Sequence, residues 1–315
     1  MASAVLTAWR EQSGDILAFL PGVGEIERTR DKGLAVTVYI GQRRGHASTS
    51  DFSRAAIRQA VEAAYNIARF TAEDPVAGLR MFFIEPLKSP YALSELSLKA
   101  TPLILIGLGL AACFRANLWN IGAEGQFVMG AIFAGGVAMQ ATPDTGRWIV
   151  VAVLAAGMLG GMVWAGIVAA LRDRFHANEI LVSLMLVYVA EMLLSYLVYG
   201  PWKDPAGYNF PQTITFLEAT RVPKLMTGLR MNIGLILALV AVVGFAIFLF
   251  RTYAGFQLQV GGLAPQAARY AGFSSRKALW TALLLSGGMA GLAGALDVAG
   301  PQGQLTPYVP LGYGF

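Results

Sequence analysis

Residues 148–171 read WIVVAVLAAGMLGGMVWAGIVAAL, 24 positions without one charged side chain. A helix rises about 1.5 Å per residue, so about 20 apolar residues cross the ~30 Å hydrocarbon core of a bilayer. Buried core helices of a large soluble protein are the alternative, but uncharged runs of this length are rare there. Working outward, residues 231–250 and 279–296 are also free of charge, and 180–200 carries only Glu191. Two further apolar runs, 100–114 and 121–140, precede these. Six membrane segments are therefore expected. The whole chain agrees: of 315 residues 56% are hydrophobic and 14% charged, against about 25% charged in ordinary soluble domains.

Glycine recurs at helical spacing inside these runs. Gly157 and Gly161 form one small-xxx-small pair, and Gly287 and Gly291 another. Lipid tails are as apolar as leucine, so close backbone approach through small residues supplies much of the packing between membrane helices. Such faces predict a tight bundle.

Residues 1–79 follow different rules. They hold 9 Lys/Arg and 9 Asp/Glu of the chain's 24 and 19, so the net charge of +5 lies in the apolar part. That excess fits short cytoplasmic loops better than nucleic-acid binding, because no basic cluster is interleaved with aromatics. LAVTVYI (34–40) reads as a buried strand, and GQRRGHASTSD (41–51) as a turn or loop. An amphipathic helix is expected over 53–70, capped by Ser50, Asp51 or Ser53, with apolar positions such as Ile57, Val61 and Ala64 at helical spacing. No secretory signal is visible in residues 1–20. Cys113 is the single cysteine, which excludes an intrachain disulfide and argues against a cysteine metal site.

Basic residues in short loops orient the spans. Arg251, Arg269, Arg276 and Lys277 lie in one loop, and Arg172 and Arg174 in another. Counting spans puts both loops, and Arg115, on one side, assigned to the cytoplasm. The segment 201–230 then faces outward, as do residues 1–95, which is at odds with the basic residues in both.

The polar positions inside the apolar part are few. In FRANLWNIGAEGQFVMGAIFAG (114–135), Glu124 stands near a helix start, where free N–H groups favour an anion. It either stabilises that start or pairs with Arg115, or else Asn120, Glu124 and Gln126 line a translocation pathway beside a broken helix. Glu191 lies in mid-span, so it faces the bundle or is protonated, as a pathway residue or as a buried hydrogen-bonding one. Asn178 is a helix cap at the start of the same span. In GGLAPQAARYAGFSSRKALW (261–280), Pro265 can open a helix, Ala267 and Ala268 leave an open surface, Gly272 permits a turn and Ser274 can cap the next membrane helix. No Gly-rich loop with lysine of the Walker type is present, so ATP is not expected to bind by that route. With no triad or metal cluster, no catalytic residue and no cofactor is expected.

SPYALSELSLKATPLILIGLGLAACFRANLWNIGAEGQFVMGA (from Ser89), NEILVSLMLVYVAE (from Asn178), GPWKDPAGYNFPQ (from Gly200) and APQAARYAGFSSRKA (from Ala264) resemble, in this order, the permease subunits of bacterial ABC importers for nucleosides and simple sugars. These share a superfamily with ribose and branched-chain amino-acid permeases. FRANLWNIGAEGQ is the most specific part, and the likeness covers about 74–315. It implies an all-α polytopic bundle of about six spans, incomplete at both ends because such permeases usually carry a further helix before FFIEPL (82–87) and more after PLGYGF. It also implies a second permease subunit, a separate ABC ATPase subunit, an extracytoplasmic binding protein or lipoprotein and a nucleoside or sugar solute, with no nucleic acid. The setting is the cytoplasmic (inner) membrane of a bacterium. Residues 265–272 become the coupling helix that docks in the ATPase: Pro265, Ala267, Ala268, Arg269, Tyr270 and Gly272. Relatives often carry Asn at the position of Ala264. The resemblance further implies import by ATP-driven alternating access; branched-chain amino-acid uptake is the rival within transport.

Residues 23–79, including GLAVTVYIGQRRGHASTSDFSRAAIRQAVEAAYNIARFTAEDPVAGL, are similar to the N-terminal part of the TldD/PmbA metalloprotease-like family. That family's metal-binding region lies well downstream, and the only histidines are His46 and His176, so peptidase activity is not expected. A small α/β strand–loop–helix fragment at 1–79 thus precedes the permease region at 80–315, with a junction in DPVAGL (74–79). Recombination, a gene-model error or assembly would each create such a junction, leaving a non-functional chimera; a genuine membrane-attached accessory domain is the other reading.

Overall fold

The computed structural model describes residues 34–40, 43–49, 61–62, 80–81, 83–208, 210–225, 228–307, 309 and 312–314. The chain divides into two compact units, Met1–Ser89 and Pro90–Phe315.

In the first unit, β1 (Leu34–Ile40) is the strand expected from its β-branched and aromatic run. The next segment is not a loop throughout, however: Arg43–Thr49 forms β2, antiparallel to β1, with Leu34 opposite Thr49 and Ile40 opposite Arg43. A strand's backbone needs a hydrogen-bonded neighbour whatever that neighbour's side chains are. RRGHAST supplies one while lacking the apolar alternation that marks a strand in sequence. The expected helix 53–70 and its caps fall outside the described residues, except for Val61 and Glu62, which are helical, with Val61 buried. One helical turn, Glu85–Lys88, comes after it.

The second unit is a helical bundle built around two buried elements. Its helices are α1 (Pro90–Arg115), α2 (Ala123–Ala138), α3 (Ile149–Phe175), α4 (Glu179–Tyr199), α5 (Gly234–Arg251), α6 (Tyr253–Leu263), α7 (Pro265–Tyr270) and α8 (Ser275–Asp297). Among the described residues five stretches, α1, α3, α4, α5 and α8 with the turn after it, are long and apolar enough to cross a membrane. The expected second span is shorter. Its helix α2 has 16 residues, about 24 Å at 1.5 Å each. It is buried nearly all round, leaving only Phe133, Gly136 and Val137 partly open. A helix this short, with Glu124 and Gln126 in its first turn, is better placed inside a bundle than against lipid. The outer helices do the reverse. Along α4, Ser183, Val187, Ala190, Leu194 and Val198 form an inward stripe, while Met185, Tyr188, Met192 and Tyr196 are exposed on the other side. Met192 is 71% exposed, a face that suits acyl chains and would be an aggregation surface in water.

Glycine lets α8 reach the centre. A Cβ on Gly161 of α3 would lie 2.7 Å from the Cα of Gly291, and one on Gly291 would lie 2.9 Å from the Cα of Gly161. Gly287 and Gly157 extend the same crossing. The two pairs seen in sequence thus meet each other. Two more approaches were not visible there: Gly294 packs on the α2 backbone at Phe127, and Gly109 of α1 sits against Ser286, whose Cα would be 2.8 Å from an added Cβ.

The remaining boundaries differ in instructive ways. α1 begins ten residues before the uncharged run, taking in Glu95 and Lys99, because exposed polar residues do not stop a helix at a membrane edge. The expected loop 251–277 contains two helices. Thr252 turns the chain, donating to the Phe248 carbonyl (2.6 Å) and accepting from the Gly255 N–H (3.1 Å), and α6 folds back along the end of α5. Basic residues collect at this end: Arg276 pairs with Asp173 at 2.7 Å, and Arg172 pairs with Glu179. At the opposite end, residues 213–222 lace onto the segment after α8, through Thr213 N–H to the Leu305 carbonyl (3.0 Å), Phe216 N–H to Gly303 (2.8 Å) and Val222 N–H to Ala299 (2.9 Å).

Candidate functional site

The linker between α1 and α2 carries the polar residues of FRANLWNIGAEGQ. Asn120 is their hub. Its side-chain amide donates to the Gln126 Oε1 (3.0 Å) and to the Ser286 Oγ (2.9 Å). Its Oδ1 accepts from the Gln126 Nε2 (3.1 Å) and from the Gly122 N–H (3.2 Å). Asn120 and Gln126 are buried, and the shared bonds compensate their removal from water. The result ties the start of α2 to the middle of α8.

Glu124 is fully buried and does not pair with Arg115. The Arg115 guanidinium reaches the Gln259 Oε1 instead, at 3.5 Å on the exposed basic end. The two carboxylate oxygens of Glu124 accept the N–H groups of Gly312 (2.8 Å) and Gly314 (2.6 Å). An added Cβ at Gly314 would overlap the Glu124 backbone. The carboxylate thus satisfies irregular backbone that has no helix of its own, the condition under which such backbone survives beside lipid. Helix entry at α2 gains no side-chain cap, since Gly122 is the N-cap. Glu191 is half-buried on α4, one turn beyond Val187, where α4 meets Gly125 of α2. Asn178 caps α4 as expected, its Oδ1 accepting from the Ile180 N–H at 2.9 Å.

At the other expected site, Pro265 occupies the first turn of α7, Gly272 has φ +80° and the Ser274 Oγ accepts from the Lys277 N–H at 3.3 Å, capping α8. Only Ala268 is buried, its methyl anchoring the six-residue helix. Ala267, Arg269 and Gly272 are exposed, and Tyr270 is 97% exposed. Below it, the Phe273 ring packs edge-on against Tyr253 and Phe256 of α6, at 6.0 and 6.2 Å.

Sequence reading missed the partners more than the centres. Ser286 lies in a glycine run, and Gly312 and Gly314 look like turn residues; nothing local marks them as ligands of Asn120 and Glu124. Lys99 and Asp297 were detectable as charges flanking uncharged runs, and they line a cavity with Tyr313 at the end opposite the basic cluster.

Residues 92–315 match the family model described as the branched-chain amino acid transport system / permease component. A glucose ABC transporter permease protein of Haloferax volcanii is 38% identical over 77% of this chain and 66% of its own length. A guanosine ABC transporter permease protein of Bacillus subtilis is 32% identical over 67% of this chain and 60% of its own. The chain thus spans about three fifths to two thirds of the length of these curated relatives. Residues 22–68 match a second model, PmbA/TldA metallopeptidase domain 1. A metalloprotease PmbA homolog of Haemophilus influenzae is 38% identical over 33% of this chain and 24% of its own. No solved structure matches the chain. With a glycine-sutured helical bundle and a family match over most of its length, this multi-pass protein of the cytoplasmic membrane belongs to the branched-chain amino acid transport system permease family, and carries a PmbA/TldD-like segment ahead of its membrane region.

Proposed function

We propose that the chain is the membrane-spanning subunit of an ABC importer for a nucleoside or simple sugar, and that α7 is its contact with the ATPase. The observation that carries this reading is the basic end of the bundle, where a six-residue helix holds Tyr270 almost fully in solvent. ATP binding would close two ATPase subunits, move α7 and open the bundle toward an extracytoplasmic binding protein; a second permease subunit would complete the path. The subunit itself makes no covalent change in the solute. The relatives' names favour sugar or nucleoside over a branched-chain amino acid. Asn120, Glu124 and Gln126 act in this scheme by holding α2 and the 312–314 turn at the path's edge, with Glu191 one turn of α4 away.

The test is capture of the ABC ATPase subunit co-expressed with the detergent-solubilised chain. Tyr270→Ala and Gly272→Val are each expected to reduce capture more than tenfold. Tyr270→Ala removes the exposed contact with stability unchanged within about 0.5 kcal/mol. Gly272→Val acts through the backbone, since nothing lies within 4 Å of an added Cβ yet φ is +80°, which costs an ordinary residue about 1–2 kcal/mol. Equal capture by both variants would remove α7 from the docking surface.

A further inference from the structure

The outward half of the bundle holds a polar cavity that the coupling end does not use. α8 stops being a regular helix at Asp297 and continues as one π-turn, Val298–Gln302, with Pro301 inside it. Such turns and breaks occur where a helix is interrupted for function, and at membrane depth they persist only beside protein or a water-filled space. Here the space exists. A cavity of about 160 Å³ is lined by Glu95, Leu98, Lys99, Arg230, Asp297, Pro301, Gln302 and Tyr313.

Its chemistry is mixed and balanced. Glu95 and Arg230 pair with each other at 3.2 Å on the rim. That leaves the buried Asp297 carboxylate and the more exposed Lys99 ammonium as the remaining charges of the lining. Asp297 is only 7% exposed, and the Gln302 side-chain amide donates to one of its oxygens. Lys99 lies across the ring of Tyr313, with its Nζ 5.6 Å from the centroid. An ionisable residue buried in a membrane bundle is costly and marks a functional position by default.

We infer that this cavity binds the ring of a neutral, hydroxyl-rich solute, with the vicinal hydroxyls of a hexose or a ribose held by Asp297, Gln302 and Lys99. The inference rests on the importer reading and names where that solute sits. Sugar hydroxyls donate to a carboxylate and accept from an ammonium at once, so both remaining charges are used. With Glu95 and Arg230 neutralising each other, an anion would meet Asp297 and a cation would meet Lys99, so neither sign uses both remaining charges. An amino-acid zwitterion would satisfy the charges, but the adjoining apolar recess, lined by Leu98, Thr101, Pro102, Asn232, Leu296, Asp297 and Pro301, has about 10 Å³. That is room for about one water, not for a branched four-carbon side chain. The main cavity is smaller than the ~300–1,000 Å³ of sites for drug-sized ligands, which suits one ring; the base of a nucleoside would project past the Glu95–Arg230 rim.

The test is equilibrium binding of radiolabelled glucose, guanosine and leucine to the full chain in lipid nanodiscs. Saturable binding of glucose or guanosine is expected; glucose identifies a free hexose, guanosine a ribose. Asp297→Asn and Lys99→Met should each weaken it at least about tenfold, the loss of one charge-assisted hydrogen bond, and Arg174→Gln at the opposite end should not. Thermal unfolding followed by tryptophan fluorescence separates a lost contact from a lost fold, and Gln302→Leu serves as a second variant if Asp297→Asn unfolds. Binding of a sugar or nucleoside that is unchanged in the folded variants overturns the cavity and leaves the solute class standing. Binding of leucine alone overturns both. Binding of none overturns the cavity as a solute site, while α7 capture of the ATPase still reads the importer assignment separately.

Discussion

Replacing Gly161 with alanine should pry α3 from α8. The new methyl would start 2.7 Å from the Cα of Gly291 and 2.8 Å from its N, where carbon atoms normally rest at about 3.5–4.0 Å. The crossing must open by about 1 Å, and a gap of that size already forfeits a quarter to a half of each dispersion contact along it. Overpacking of this kind costs about 1–3 kcal/mol. Working the other way, glycine to alanine inside a helix gains about 0.5–1 kcal/mol. Gly166 isolates that gain: it lies on the same helix, and its added Cβ would meet only the Leu284 Cδ2, at an ordinary 3.7 Å. Gly166→Ala is therefore expected to be neutral or slightly stabilising, and Gly161→Ala to fall about 1–3 kcal/mol below it, the helix gain cancelling between the two. The assay is reversible unfolding in mixed micelles of increasing SDS fraction, read by tryptophan fluorescence. If the two variants unfold within about 0.5 kcal/mol of each other, the α3–α8 crossing does not depend on backbone contact and the packing argument fails.

Glu124→Ala should strip the acceptor from the buried Gly314 N–H, at a cost of about 1–3 kcal/mol for that group alone. Hydrogen exchange at Gly312 and Gly314 should accelerate, and Glu124→Gln, which keeps one acceptor oxygen, should lie between the variant and the parent. Asp173→Asn removes the charge that accepts from Arg276 (2.7 Å) and Trp280 (3.2 Å); since the Arg276 side chain is 72% exposed, the loss should stay below about 1 kcal/mol and shrink further at high salt.

Range along the chain decides which features were legible in advance. The uncharged runs are local, so the bundle was legible from composition alone. Gly157, Gly161, Gly287 and Gly291 were visible as spaced pairs, because periodicity on one helix is also a local property. That the pairs face each other is a tertiary fact. β2 escaped notice because its backbone makes it a strand while Arg43, Arg44 and His46 carry no apolar pattern. Glu124 shows the same limit at the site. Its position near a helix start pointed to a cap or to Arg115, both nearby in sequence. The structure places its partners 188 and 190 residues away, where no spacing rule reaches. Pro265, Gly272 and Ser274 needed only neighbours within a few positions, and their local geometry is as expected.

The enclosure of α2 has a consequence for biogenesis. A 16-residue helix that carries Glu124 and Gln126 settles poorly in lipid by itself, and the backbone that covers Phe127, at Gly294, is translated about 170 residues later. At about 5–20 residues per second, the ribosome needs roughly 8–34 s to deliver it. During that interval α2 must be sheltered at the insertion machinery or held by α3, which begins within a dozen residues of its end. Maturation of this chain is therefore paced by synthesis of α8, and drugs or rare codons that stall elongation between positions 200 and 280 would leave α2 stranded and open to quality-control proteolysis.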